Sequence, residues 1–429
     1  MSYDTVVVGA GLAGLTAALR LSEQGQRVLV VARGVGATHL APATVDVLGY
    51  LDDVQVVSPA NSVPVLTSST TTPNHPYAHV SAEQLATSLE WFCSKTAALG
   101  YMGSSDQNML LPTALGVPKP SALAPRSMSG GDLRAGGRFV FVGLKGFKDF
   151  HPTLIADNLN HARLPIPIEA RALELAPPPS RRGDLTARVI AGRFDTESLT
   201  GWLAGALEHQ VDPDERIGIP AVLGLRSGDA NWQELQQRLH RTVFEVATLP
   251  PSVPGMRLFD ALSGALRAGG GRIVLGVRAV GARANEGRIE AVDVANATGT
   301  VSYPVSSVVL ASGGFASGGL ELDSFGTTRE TVFSLPLTGL PDTDRVRFSP
   351  HYFDAQPLAT AGVATDDQLR PLDGSGSPVY ENLHAAGAII GGATPWKEKS
   401  GTGISVVTGY AAAEAILAPA PTPVSESVR

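Results

Sequence analysis

The chain has 429 residues, a formal net charge of −7, 43% hydrophobic residues and a single cysteine. That length exceeds one ordinary domain, and the hydrophobic share suffices for a substantial core. The acidic balance, without a basic run, argues against a nucleic-acid partner; the lone Cys93 excludes an intramolecular disulfide and a four-cysteine iron–sulfur cluster within this chain.

The opening Met1-Ser2-Tyr3-Asp4 lacks the basic region of a signal peptide, and no run of about 18 apolar residues follows, so neither a leader nor a membrane span is expected. Thr5–Val8 is a short β-branched run, the pattern of a strand buried on both faces of a parallel sheet. Gly9, Gly11 and Gly14 follow at G-x-G-x-x-G spacing, and Leu12, Leu15, Ala18 and Leu19 then fall on one helix face. The three glycines serve in turn a tight turn, close backbone approach to a phosphate, and close helix–strand packing. The free N–H groups of the helix N-terminus would face the anion. Strand, glycines and helix in this order make a stronger signal than the glycines alone.

A second strand, "RVLVVARG", ends at Ala32, Arg33 and Gly34. Dinucleotide folds commonly place Asp or Glu there to hold the adenosine ribose. The missing acid leaves the phosphate site intact and the adenosine half in question; Arg33 would suit a 2′-phosphate instead.

From about residue 50 the pattern changes to a Ser-, Thr- and Pro-rich loop, then to an inserted α+β region with helix-like segments, the strand-like "RFVFVGL" and the break "APPPSRRGD". The first pattern returns at "PPSVPGMRLFDALSGALRAGGGRIVLGV" and continues to "LASGGF", with Gly313 and Gly314. After a second insertion it returns again as "ENLHAAGAIIGG", with Gly387, Gly391 and Gly392, and as the glycine-led helix "SGTGISVVTGYAAAEAIL", with Gly401 and Gly403. If these returns meet on one sheet they form a single interrupted site, an organisation expected of flavin binding. The expected division is 1–50, 251–324 and 376–417 as three segments of a flavin-binding domain. Residues 51–250 would be a cap or substrate region, 325–375 a second cap segment and 418–429 a disordered tail. No fixed-period repeat and no metal-ligand spacing is present.

This layout resembles the two-dinucleotide-binding-domain flavoproteins that include fumarate reductase and succinate dehydrogenase flavoproteins. The implied fold class is α/β, a Rossmann-like flavin-binding domain with an inserted α+β cap. Where those relatives carry an acidic residue after A-G, this chain has Ala388. More specifically, "YDTVVVGAGLAGL", "RGVGATHLAPATVDVLGYL", "TLPPSVPGMRL" and "LHAAGAIIGG" with "SGTGISVVTGYAAA" resemble the family of anaerobic glycerol-3-phosphate dehydrogenase B subunits. The resemblance implies a flavoprotein subunit in a complex that oxidises glycerol 3-phosphate to dihydroxyacetone phosphate and sends electrons to quinone. It further implies FMN, with FAD as the alternative, a companion FAD subunit, and an iron–sulfur membrane-anchor subunit. The location implied is cytoplasmic, at the inner face of the membrane through a partner.

Alcohol oxidation needs a base, a hydride acceptor and, for this substrate, cations for the phosphate. His39, in "GATHLAP", is the first candidate base and flavin contact, covalent attachment being one option; the alternative is a loop histidine bonded to backbone. Lys145, Lys148 and His151, in "GLKGFKDFHP", form a candidate anion grip with His151 as a second base, or else a solvated basic loop. Arg193 and Arg126 are weaker phosphate candidates. Two other functions stand beside the enzyme: an electron-relay subunit whose flavin never meets the substrate, and another flavin oxidoreductase of the fumarate reductase superfamily.

Overall fold

Thr5–Val8 is fully buried, as its β-branched run requires, and forms the middle of the main sheet. The computed structural model describes residues 2–68, 74–179, 184–341, 347–352 and 354–419. Among these, the main sheet has five strands, all parallel, in the order Arg272–Leu275, Val28–Ala32, Thr5–Val8, Ser307–Leu310, Leu383–Ala385. Val6 sits opposite Leu29 on one side and Val308 on the other. Each such apolar side chain, fully removed from water, contributes about 1.5–3 kcal/mol before entropy is counted. The helices Leu12–Glu23 and Gly401–Leu417 pack closely, because Gly409 has no side chain to hold them off the Ala13 carbonyl. The helix Val253–Ala268 also packs against Leu12–Glu23. Arg278–Asn285, Arg288–Asn296 and Gly299–Pro304 form an antiparallel meander.

The inserted region builds a second core. Its main sheet runs Ile168–Leu175, Gly137–Leu144, Glu215–Pro220, Val243–Val246, again all parallel, with helices in the crossovers. Helix and strand are mixed there as expected, but they alternate, so this unit is layered as α/β; the α+β expectation fits only short antiparallel pairs such as Met109–Pro112 with Pro118–Ser121. At its centre Phe139 and Phe141 stack at 6.4 Å, and Phe244 meets each of them edge to face at 6.0 Å.

The cores do not divide at residue 50. Val56, Val63, Leu66, Leu85, Phe92 and Leu123 belong to the first core, and the second core draws its members from Leu110 to Val253. The reason is apolar patterning: the helix Ala82–Lys95 has its own buried face and lays it on the Gly401–Leu417 helix. Residues 420–429, most of the expected tail, lie outside the described residues. No described helix is long and apolar enough to cross a membrane.

Candidate functional site

The C-terminal ends of the main-sheet strands open on a cavity of about 1600 Å³. Ligands of open parallel sheets are bound at this edge. Gly9–Ala13, Ala32–Gly34, Ala311–Gly313, Ala386, Ala388 and Gly401–Thr402 all line it, so the three glycine-rich returns converge as their sequence suggested.

The local chemistry follows from the backbone. Gly9 has φ +116°, and a Cβ there would run into the Ala311 carbonyl oxygen; a Cβ on Gly14 would run into the Gly9 carbonyl. Gly11 has open space within 4 Å and is the N-cap of Leu12–Glu23 without a side-chain cap. Ser400 is likewise the N-cap of Gly401–Leu417 with no side-chain cap, its hydroxyl donating to Glu398 at 2.7 Å instead. Two uncapped helix N-termini therefore face one cavity, and each offers unsatisfied N–H groups and a partial positive charge. Thr38 and Ser312 are also lining residues, and their hydroxyl oxygens are buried behind the cavity wall with no partner among the described residues. Buried polar atoms normally find one, so a polar ligand with phosphate or amide groups fits this wall.

The predicted residues separate into two sets. Gly9, Gly11, Arg33, Gly34, Gly313 and Gly401 line the cavity. Gly14, Gly314, Gly387, Gly391, Gly392 and Gly403 do not; they let backbone segments approach. Gly387 packs on Ala13, Gly391 on Gly362, Gly392 on Asn74 and Gly403 on the Asp46 carbonyl, while the Gly314 carbonyl accepts from the Gly319 N–H.

His39 is not a lining residue. The 3-10 turn Gly36–Leu40 directs Thr38 and Leu40 to the cavity and the His39 ring to Phe259, edge to face at 5.0 Å. Burial holds its pKa below the ordinary imidazole range, with Asp260 opposing and Arg188 adding to the shift. Lys145, Lys148 and His151 are exposed on the second unit, away from the lining, as a solvated loop would be. Arg193 is buried but committed: it pairs with Glu197 at 2.8 Å and donates to the Pro178 carbonyl at 3.0 Å, tying down the proline-rich break. Arg126 is paired with Asp229. His384 is buried, with Nδ1 2.7 Å from the Gln368 carbonyl.

What sequence reading missed is a charged cluster at the cavity end nearest Gly401. Asp46 lines the wall; it accepts from the hydroxyls of Thr44 at 2.9 Å and Ser121 at 2.7 Å and pairs with Lys119 at 2.6 Å. Lys399 lines it too, in a left-handed turn with φ 51°. The only local signal was Lys399 standing two residues before the helix-opening glycine. The stretches "GATHL" and "PPSVPG", far apart in sequence, are joined here: Ser252 N–H donates to the His39 carbonyl at 2.7 Å, and Gly255 fits against the Thr38 and Ala41 carbonyls where no side chain would.

A family model described as FAD binding domain matches residues 4–404. The chain binds flavin by that family, and FMN as first expectation gives way to FAD. A 3-ketosteroid Δ1-dehydrogenase structure from Sterolibacterium denitrificans matches at TM-score 0.45 and 14% identity, covering 96% of this chain and 99% of that one. A protein of Halobacterium salinarum, named as a probable B subunit of anaerobic glycerol-3-phosphate dehydrogenase, is 33% identical over 425 residues, spanning 96% of this chain and 97% of that one. The B subunit of anaerobic glycerol-3-phosphate dehydrogenase from Yersinia pestis is 32% identical over 430 residues, spanning 97% and 98%. With the cavity, its glycine turns and the "PPSVPG" contact in place, the chain belongs to the family of anaerobic glycerol-3-phosphate dehydrogenase B subunits, flavin oxidoreductases of the FAD-binding fold.

Proposed function

We propose that this chain is an FAD-bearing subunit that oxidises glycerol 3-phosphate to dihydroxyacetone phosphate in such a complex. A companion FAD subunit and an iron–sulfur membrane-anchor subunit would carry electrons on to quinone. The cytoplasmic face of the membrane, reached through that anchor, is part of the same proposal. The observation that supports it most is the convergence of three glycine-rich turns and two uncapped helix N-termini on one cavity.

The residues present fit FAD. The N–H groups at Gly11–Ala13 would hold the pyrophosphate, with Arg33 and Gly34 on the adenosine side. Thr38 and Ser312 would satisfy polar atoms along its length. Ala386, Ala388 and Gly401–Thr402 would border the ring. When bound, the flavin supplies the acceptor for a hydride from the alcohol carbon. The helix N-terminus at Gly401 would stabilise negative charge developing beside it.

A relay role is the second reading. Among the described residues, the lining contains no histidine and none of Lys145, Lys148 and His151, so an obvious base is not in place. One experiment sorts the two: anaerobic addition of glycerol 3-phosphate to the flavin-loaded chain, following the visible flavin band. Bleaching is expected. No bleaching, with dithionite still reducing the flavin, would overturn the enzymatic reading in favour of the relay.

A further inference from the structure

We propose that Lys399 receives the anionic end of the substrate on the cavity wall, and that buried Glu398 and His75 are positioning residues that hold it there. This rests on the reading that the substrate is an anionic alcohol.

Lys399 lines the cavity beside Trp396 and Ser400. Its Nζ donates to the Trp396 carbonyl at 2.6 Å, and among the described residues no carboxylate pairs with it. Asp46, the acid on the same wall, is already held by Lys119 and two hydroxyls. On the wall itself Lys399 thus stands without a carboxylate partner, next to the uncapped start of Gly401–Leu417, while the Glu398 carboxylate lies behind the wall, held by Thr394, Ser400 and His75. An anion is what such a wall lacks. Burial lowers the Lys399 pKa, Lys119 adds to this and Asp46 opposes it; a bound anion would reverse the trend.

The left-handed turn at Lys399, φ 51° and ψ 61°, is unfavourable for a side-chain-bearing residue and must be held by its surroundings. Glu398 does so. Its carboxylate accepts from Thr394 N–H at 2.7 Å, the Thr394 hydroxyl at 2.9 Å, the Ser400 hydroxyl at 2.7 Å and His75 Nε2 at 3.2 Å. His75 is fully buried, and its Nδ1 accepts from Tyr77 N–H at 3.1 Å. That contact assigns the proton to Nε2, which donates to Glu398. The Glu398 carbonyl also accepts from Gly49 N–H at 2.7 Å. The chain on both sides of Lys399 is therefore pinned, and the lysine is aimed by groups that do not themselves reach the ligand.

The test uses the flavin-loaded protein, with glycerol 3-phosphate reducing it anaerobically and inorganic phosphate perturbing its oxidised spectrum. Lys399→Met is expected to raise the half-saturating concentration of both about 10- to 100-fold, the loss of one charge-assisted contact; Lys399→Arg should recover most of it. Glu398→Gln and His75→Gln should raise it in the native background and add little in Lys399→Met, whereas a merely structural role would add equally in both. If the native protein responds and Lys399→Met responds at the same concentrations, the lysine assignment is overturned while the substrate reading stands. If the native protein responds to neither ligand, both fall.

Discussion

Arg257 and Glu245 form a buried two-pronged ion pair, Nη1 to Oε2 at 2.6 Å and Nη2 to Oε1 at 3.0 Å, that locks the helix Val253–Ala268 of the first unit to the edge strand Val243–Val246 of the second. Arg257 also donates to the Gly224 carbonyl at 2.7 Å, and Glu245 accepts from the Ser127 hydroxyl at 2.9 Å. Removing one partner strands the other charge without water. Glu245→Ala or Arg257→Ala is expected to cost about 3–5 kcal/mol, while Arg257→Met with Glu245→Leu recovers part of it. Urea unfolding of the three variants checks this; single variants within about 0.5 kcal/mol of the native protein would contradict it.

The glycines of the first turn should separate stability from ligand binding. Gly9→Ala and Gly14→Ala drive a Cβ into backbone that cannot step aside, so both should lose several kcal/mol, roughly 3 or more, and fold poorly. Gly11→Ala meets nothing within 4 Å and should melt as the native apoprotein does, yet hold flavin much more weakly because the added methyl stands where a phosphate approaches. Melting of apoprotein and flavin stoichiometry, measured side by side, give the two readouts.

His39, against expectation, turns from the cavity to Phe259, and its Nε2 is buried without a partner. Replacing an unsatisfied polar group by an apolar one of similar size costs little. His39→Leu should therefore keep its flavin content and its stability, and acid precipitation of the native protein should release all flavin. Flavin remaining on the precipitate would restore His39 as an attachment point.

Exposed Lys145 and Lys148 should be dispensable for the substrate. Lys145→Ala with Lys148→Ala is expected to change the half-saturating glycerol 3-phosphate concentration by no more than about two-fold, as exposed positions away from a site usually do. A ten-fold rise would return the loop to the site.

His384 predicts the acid limit. Burial holds its pKa below the ordinary value, with the Gln368 carbonyl opposing, Arg370 adding to the shift and Asp366 opposing. The folded protein thus keeps it neutral where the unfolded chain would protonate. Its contribution to stability is full above about pH 6.5 and is lost as pH falls from there toward the lowered folded value. Unfolding free energy should drop as pH falls from about 6.5 toward that value and level off below it, and His384→Leu should flatten the drop; an unchanged slope would refute the assignment.

The sequence by itself determined the parts whose causes are local. A β-branched run leading into glycines reads as a buried strand feeding a tight turn, and the glycine-rich returns at "LASGGF" and "LHAAG" pointed to one site if they met on one sheet. The resemblance in "PPSVPG" and "GATHL" named the family before their contact was visible. Only the tertiary structure decided which charged groups face that cavity. Rotation about one 3-10 turn sends Thr38 inward and His39 away, a choice no spacing records. The Asp46–Lys119 pair and the His75–Glu398 contact, the latter across 323 residues, arise from chain segments brought together by burial of their apolar neighbours. Long-range pairing leaves no local periodicity, so the lysine at the helix start became legible only once the sheet, the helix and the turn at residues 74–79 were packed on one another.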